Sequence, residues 1–233
     1  MPSLRILLAE DHRALADNLI EFLTLGGHEV DHAVDGKTAQ SLARSGSYDV
    51  LILDWGLPRM NGVELCRSIR QEQPEVPILM LTSRESIEEK AEAFEAGVDD
   101  FVVKPCELPE IELRCGALAR RAARSGTESP ADPETSTIDD LRFDRGTQAI
   151  YRGERRVELH RIGRELLALL MERTPNVVTR EEIEEAIWGG APPGSEVIRT
   201  HVYALRRALE AGGEPRLIHT VRGSGYRLAV EES

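Results

Sequence analysis

The sequence predicts an α/β domain, a doubly wound parallel sheet of five strands, followed by a smaller α+β domain with a winged helix-turn-helix arrangement. Up to about Arg121, apolar runs alternate five times with stretches of helical period. Residues 125–137 (SGTESPADPETST) then lose all apolar period and are rich in Ser, Thr, Pro and acids. Beyond them come short alternating segments, three helical stretches and a closing hairpin, which is a different architecture.

Leu4 to Ala9 is an apolar run and reads as a buried strand, followed by a helix over Arg13 to Leu25. The pattern repeats as strand and helix over Glu29 to Ala33 and Lys37 to Ser45, Val50 to Leu53 and Val63 to Gln71, Ile78 to Leu81 and Ser86 to Ala96, Phe101 to Val103 and Leu108 to Arg121. Short, continuous apolar strands alternating with helices are the mark of a parallel sheet covered on both faces. The loss of period after Arg121 reads as a flexible linker over residues 122–137, between domains at 1–121 and 138–233. Ile138 to Leu159 alternates apolar and polar residues, with turns at Arg145-Gly146 and Gly153-Glu154, and predicts short antiparallel strands. Helices are expected over Arg164 to Arg173, over Arg180 to Trp188 with Thr179 as N-cap, and over Ser195 to Glu210 with Ser195 as N-cap. Leu217 to Val221 and Tyr226 to Val230, joined through Gly223-Ser224-Gly225, form the hairpin. Helix, turn, helix and ribbon is a DNA-docking geometry.

Composition narrows the function classes. With 41% hydrophobic and 30% charged residues, the 233-residue chain falls among ordinary globular proteins of about two domains. Its apolar runs are far short of a bilayer span and its start lacks a signal peptide's basic and apolar stretches, so no membrane partner is expected and the cytoplasm is the expected compartment. Cys66, Cys106 and Cys115 show neither even pairing nor a CxxC spacing, which suits a reducing compartment. His28 and His32 have no third metal ligand nearby and read as a half-exposed strand rather than a zinc site. The net charge of -12 speaks against nucleic acid, but its distribution does not. Residues 1–121 carry 13 basic and 22 acidic residues, whereas Glu196 to Arg227 carries six arginines against three glutamates. A local basic patch is what phosphate contacts need.

The chemistry lies where apolar runs end. Glu10 and Asp11 follow the first run, Asp54 the third, Thr82 the fourth and Lys104 the fifth. In an open parallel sheet the carboxyl ends of strands share one crevice, so three acids, a hydroxyl and an ammonium would meet in a phosphoryl-transfer pocket. Three clustered acids repel unless a hard cation joins them, and Mg²⁺ suits so open a site. Asp54, alone at the end of a central strand, is the best nucleophile. Lys104 would neutralise phosphoryl oxygens while the Thr82 hydroxyl donates to one of them.

The stretches LLAEDH (7–12), VLILDWGLPRMNG (50–62), ILMLTS (78–83) and EAGVDDFVVKP (95–105) resemble the receiver domain of two-component response regulators. With REEIEEAIWG (180–189), HVYALRRALE (201–210) and HTVRGSGYRL (219–228), nearly the whole chain resembles the OmpR/PhoB family of DNA-binding regulators. The resemblance implies a flavodoxin-like, CheY-like receiver, the sheet order for which such a receiver is itself a standard example. It implies Asp54 as phosphoacceptor for a cognate sensor histidine kinase, with Mg²⁺ held by Glu10, Asp11, Asp54 and the backbone carbonyl of Gly56. Thr82 and Phe101 would be the switch pair, and the Lys104-Pro105 peptide is expected to be cis.

By the same resemblance, Lys90, Glu95, Asp99, Asp100, Glu110, Arg114 and Arg121 would line a two-fold receiver interface on phosphorylation. The expected pairs across it are Lys90 with Glu110, Asp100 with Arg114 and Asp99 with Arg121. In the output domain, Val197, Arg199, Thr200, Tyr203 and Ala204 are expected near bases or backbone of promoter DNA, Arg206 and Arg207 at phosphates, and Arg222 in the minor groove. His201, Leu205 and Tyr226 read as packing residues and Trp188 as core, while RNA polymerase is a further possible partner.

The chain departs from the family pattern at three places. His160, Gly163 and Arg164 stand at the start of the first output helix, Glu196 and Arg199 invert the usual charge order of the recognition helix, and Cys106 replaces a common aromatic. A phosphoaspartyl phosphatase would want a second Asp at position 56, where Gly56 stands, so no separate enzymatic turnover is expected. The alternative is a DNA-binding regulator independent of phosphorylation, whose receiver is a protein-interaction module.

Overall fold

The computed structural model describes residues 2–84, 86–125, 135–189 and 195–230, and the chain divides into two compact units, Met1–Gly126 and Thr127–Ser233. The first unit carries β1 (Arg5–Ala9), α1 (Arg13–Leu25), β2 (Glu29–Ala33), α2 (Gly36–Ser45), β3 (Val50–Asp54), α3 (Gly62–Glu72), β4 (Ile78–Thr82), α4 (Ile87–Glu95), β5 (Asp100–Val103) and α5 (Leu108–Ser125). All five strands are parallel in the order β2-β1-β3-β4-β5. The order reverses at β1 and β3, and that is where such sheets place their ligands. Register brings Ala9 opposite Leu53, Asp54 opposite Leu81 and Thr82 opposite Val103, so one line of strand ends carries the predicted site.

These elements form for local reasons. Val50 to Leu53 and Ile78 to Leu81 are almost wholly buried, as befits strands covered on both faces. Under the sheet, Leu19 and Leu23 of α1 meet Ile111, Cys115 and Leu118 of α5 in one core with Ile6, Leu8 and Ile52. Helix starts are capped from the sequence: Asp35 for α2, Ser86 for α4, and for α3 a capping box in which Asn61 and Glu64 exchange bonds. Asp35 accepts from Thr38 N and Oγ1, both at 2.9 Å, and from Arg59; the backbone bond, then the guanidinium, hold its carboxyl down to about 2.

The second unit opens with an antiparallel sheet of β6 (Thr135–Ile138), β7 (Leu141–Asp144), β8 (Ala149–Arg152) and β9 (Arg155–Val157) in sequence order. Then come α6 (Arg161–Glu172), β10 (Val178–Thr179), α7 (Arg180–Trp188), α8 (Ser195–Leu209), β11 (Ile218–Val221) and β12 (Gly225–Leu228), with the last strands ordered β10-β12-β11. The winged helix-turn-helix is therefore present. Two arginines hold the end of α8. Arg152, fully buried, donates to Asp140 Oδ1 at 2.9 Å, Leu209 O at 3.4 Å and Pro215 O at 3.0 Å. Arg155 donates to Glu214 Oε1 at 2.6 Å and to the carbonyls of Ala208 and Leu209 at 3.2 and 2.9 Å. Both satisfy carbonyls that a helix end leaves without intrahelical partners.

Several boundaries differ from expectation. α5 runs to Ser125 and β6 begins at Thr135, so both ends of the expected linker belong to elements: the helix keeps its period past Arg121, and β6 pairs with β7 from Thr135 to Ile138. The middle of that linker, 126–134, lies outside the described residues. α6 starts at Arg161 rather than Arg164, because Arg161 and Ile162 are buried and draw the first turn into the core. Its N-cap, His160, makes no side-chain cap bond. Ser195, expected as an N-cap, is the first residue of α8. The two-residue β10 has no period to betray it. Among the described residues no helix is long and apolar enough to cross a membrane, and the three cysteines are free.

Candidate functional site

Four strand-end side chains, those of Glu10, Asp11, Asp54 and Lys104, come together at the carboxyl edge of the first sheet, and Thr82 ends the neighbouring β4. Asp54, the last residue of β3, and Glu10, the residue after β1, are buried, and both face the Lys104 ammonium: Nζ donates to Glu10 Oε2 at 2.6 Å and to Asp54 Oδ1 at 2.8 Å. Burial alone would lower the Lys104 pKa, but the bonds and charges of Asp54 and Glu10 outweigh it and hold the ammonium above its ordinary value. Carboxylate oxygens of Glu10, Asp11 and Asp54 lie within 4.8 Å of one another. Three hard oxygen donors at that spacing, one exposed at the rim and two buried, fit a small divalent cation.

The backbone around the acids is fitted closely. Gly56 N donates to Asp54 Oδ2 at 3.2 Å, and His12 N donates to Glu10 Oε1 at 3.1 Å. At Gly62 an added Cβ would collide with the Asp54 carbonyl oxygen, so only glycine lets α3 start beside the acid. The Lys104-Pro105 peptide is cis, as expected. Thr82 is buried and its Oγ1 accepts from Arg84 N at 2.8 Å. Phe101 is buried against Phe94, ring centroids 5.6 Å apart, and the Lys90 ammonium lies 4.7 Å from its centroid.

His28 and His32 serve two different structural duties. His28 Nδ1 accepts from Leu4 N at 3.1 Å while Nε2 faces Glu112 Oε1 at 3.2 Å, which ties α5 to the start of the sheet. His32 Nε2 bonds the backbone carbonyl of Glu10 at 2.9 Å, a support for the acid pocket that no sequence pattern marks.

Five of the expected interface residues have partners within the chain. Asp99 is buried in an ion pair with Arg70 at 2.9 Å and accepts from Ile78 N at 2.8 Å. Asp100, buried, is bonded by Arg114 of the same chain at 2.7 Å, and Arg114 also grips Glu110 at 2.6 Å. Arg114 thus joins α5 to the first residue of β5 within one copy. Lys90 is buried against Phe101. Glu95 is exposed, and Glu110 and Arg121 are half-buried. Arg70 went unassigned in the sequence, although α3's period places it on the buried face with Leu65, Cys66 and Ile69.

In α8, Val197, Thr200 and Ala204 are buried, with exposures of 2, 0 and 8%, so they face the core of the second unit and not a groove. Thr200 spends its hydroxyl on Glu196 O at 2.9 Å. Arg199 and Arg207 are exposed and Tyr203 is half-buried, while Arg222 is exposed at the hairpin tip. Arg206 donates to Ile218 O at 3.0 Å and Thr220 Oγ1 at 2.9 Å, which ties α8 to β11. His201, Leu205, Tyr226 and Trp188 are buried, as expected.

The family model for the response regulator receiver domain matches residues 6–115, and that for the C-terminal domain of transcriptional regulatory proteins matches residues 153–228. The response regulator MprA of Mycobacterium ulcerans is 41% identical over 227 residues, covering 97% of each chain. That of Mycobacterium avium is 40% identical over 226 residues, covering 97% of this chain and 98% of its own. Among solved structures, a RitR mutant superimposes with a TM-score of 0.70 at 28% identity, covering 97% of this chain and 99% of that one. The response regulator DrrB, described as a Thermotoga maritima OmpR/PhoB homologue, gives 0.50 at 27% identity over 98% and 100%.

Proposed function

Because the chain belongs to the OmpR/PhoB family of two-component response regulators, a receiver joined to a DNA-binding domain that acts in transcription regulation, we propose that Asp54 is its phosphoacceptor. The observation that carries this reading is the Asp54 carboxylate at a strand end, 2.8 Å from a half-buried ammonium and grouped with two further acids.

A carboxylate oxygen of Asp54 attacks the phosphorus of a phosphohistidine on a cognate sensor histidine kinase. One P–O bond forms, the N–P bond breaks, and the departing imidazole nitrogen takes a proton. Lys104 neutralises developing charge on the phosphoryl oxygens, and the Thr82 hydroxyl, released from Arg84 N, donates to one of them. Mg²⁺, held by Glu10, Asp11, Asp54 and the Gly56 carbonyl, supplies further positive charge when bound. The group passes to the chain itself, so no separate substrate is turned over.

Phosphorylation adds about two negative charges beside Thr82, draws Thr82 and Phe101 into their active arrangement and favours a homodimer through the α4 and α5 face, where Glu95, Glu110 and Arg121 remain the interface candidates. Two output domains then read promoter DNA with Arg199 and Tyr203 at the bases or backbone, Arg206 and Arg207 at phosphates and Arg222 in the minor groove.

The test is phosphoramidate with Mg²⁺: wild type gains one phosphoryl mass and binds DNA more tightly, Asp54→Ala gains none, and chelating the metal stops the gain in wild type. An Asp54→Ala chain that responds like wild type overturns the reading and leaves the receiver as a phosphorylation-independent interaction module.

A further inference from the structure

We propose that Lys90 is a positioning residue of the switch, its buried ammonium holding the Phe101 ring inward. Lys90 and Phe94 stand one helical turn apart on the inner face of α4, the spacing that sets two side chains side by side. Both meet the same ring: the ammonium 4.7 Å from the Phe101 centroid, the Phe94 ring 5.6 Å away and tilted by 40°. Lys90 is 2% exposed and Phe101 5%. A cation is drawn to the negative face of an aromatic ring, and more so away from water. An outward swing of Phe101 breaks the contacts with Lys90 and Phe94 together, so α4 and the ring rotamer move as one two-state element.

The ring is thus already inward in the resting chain, and Lys90 weights that balance from inside one receiver. Resting on the phosphoacceptor reading, this has a kinetic consequence: if the inward state is the one that accepts the phosphoryl group, removing the charge lowers its population and slows phosphorylation in proportion.

The experiment uses the full chain with ring-¹³C phenylalanine. There are four phenylalanines, Phe22, Phe94, Phe101 and Phe143, and Phe101→Leu assigns the ring in question. Lys90→Met keeps side-chain length and removes the charge; Lys90→Arg keeps the charge. In Lys90→Met the Phe101 resonances are expected to move toward those of an exposed ring, while Phe22 and Phe143 keep theirs and report an intact fold. Lys90→Arg is expected to stay close to wild type. With phosphoramidate and Mg²⁺, mass addition on Asp54 is expected to slow by about threefold or more in Lys90→Met and to be restored in Lys90→Arg. Unchanged Phe101 resonances in Lys90→Met, or an Arg variant displaced as far as the Met variant, overturn the inference. If wild type takes no phosphoryl group, the phosphoacceptor reading fails while the ring spectrum still decides the role of Lys90.

Discussion

Arg70 shows how much of the receiver depends on single buried charges. Its guanidinium donates to Gly97 O at 2.9 Å, Val76 O at 2.6 Å and Gln73 O at 3.2 Å besides pairing with Asp99, so one side chain ties the end of α3 to both turns flanking β4. Arg70→Met leaves Asp99 buried without its cation and is expected to cost about 3–5 kcal/mol, read as a lowered midpoint in urea denaturation followed at Trp55. Asp100 has the opposite character. Burial raises its carboxyl to about 6 despite the Arg114 charge and bonds. The folded chain therefore binds a proton there more tightly than the unfolded one, and the stability this contributes is present below about pH 4 and lost as pH rises through about 6. Asp100→Asn is expected to flatten that part of the stability profile, and an unchanged profile would show that Arg114 compensates fully. The pocket residues were legible because their types, three acids, a hydroxyl and an ammonium, are unusual together at strand ends. Arg70, His32 and the intrachain hold on Asp99 and Asp100 were not, since an Arg or an acid in a helix or strand carries no mark of its burial or partner.

At the level of the element, the grip of the β8 and β9 arginines on α8 joins the antiparallel sheet to the helix on which Arg199 and Arg207 are exposed. Arg152→Met removes three bonds from a fully buried guanidinium and is expected to destabilise the second unit by about 1.5–3 kcal/mol. Trp188 reports the second unit and Trp55 the first, so a Trp55→Phe background isolates the affected transition, and a shift of the Trp55 signal when Arg152→Met is made in the chain that keeps Trp55 would argue against independent units. Glu214, held down to about 2 by its bond from Arg155 above all, adds stability at neutral pH that is lost as pH falls below about 4.5. Thr179→Ala opens the capping box of α7 and is expected to cost about 1 kcal/mol. Caps and apolar periods made most elements readable, α1 and α7 to the residue. The exceptions were those that tertiary contacts decide: a strand of two residues that exists only by pairing with β12, a first turn of α6 drawn in by Arg161 and Ile162, and the inner stripe of α8. There Val197, Thr200 and Ala204 share the helix with exposed positions, and resemblance alone did not tell which side faces inward.

For the molecule as a whole, an acidic chain has to bind a polyanion through a few arginines. DNA affinity is expected to fall with salt, the logarithmic slope being set by the number of phosphates neutralised at about 0.9 each. Arg222→Ala is expected to weaken binding and reduce the steepness of that slope by about 1 if it lies against phosphates, or to leave it nearly unchanged while altering A·T preference if it lies in the minor groove. Binding isotherms at several salt concentrations separate the outcomes. The charge balance of the receiver also has an order in time. Lys104 stands 94 residues after Glu10 and 50 after Asp54, so during biosynthesis the acids leave the ribosome long before the cation that reconciles them. Until the fifth strand emerges, like charges crowd the rim of any early β1–β3 pairing. A receiver assembled in this way closes late, once its last strand is available, and not strand by strand.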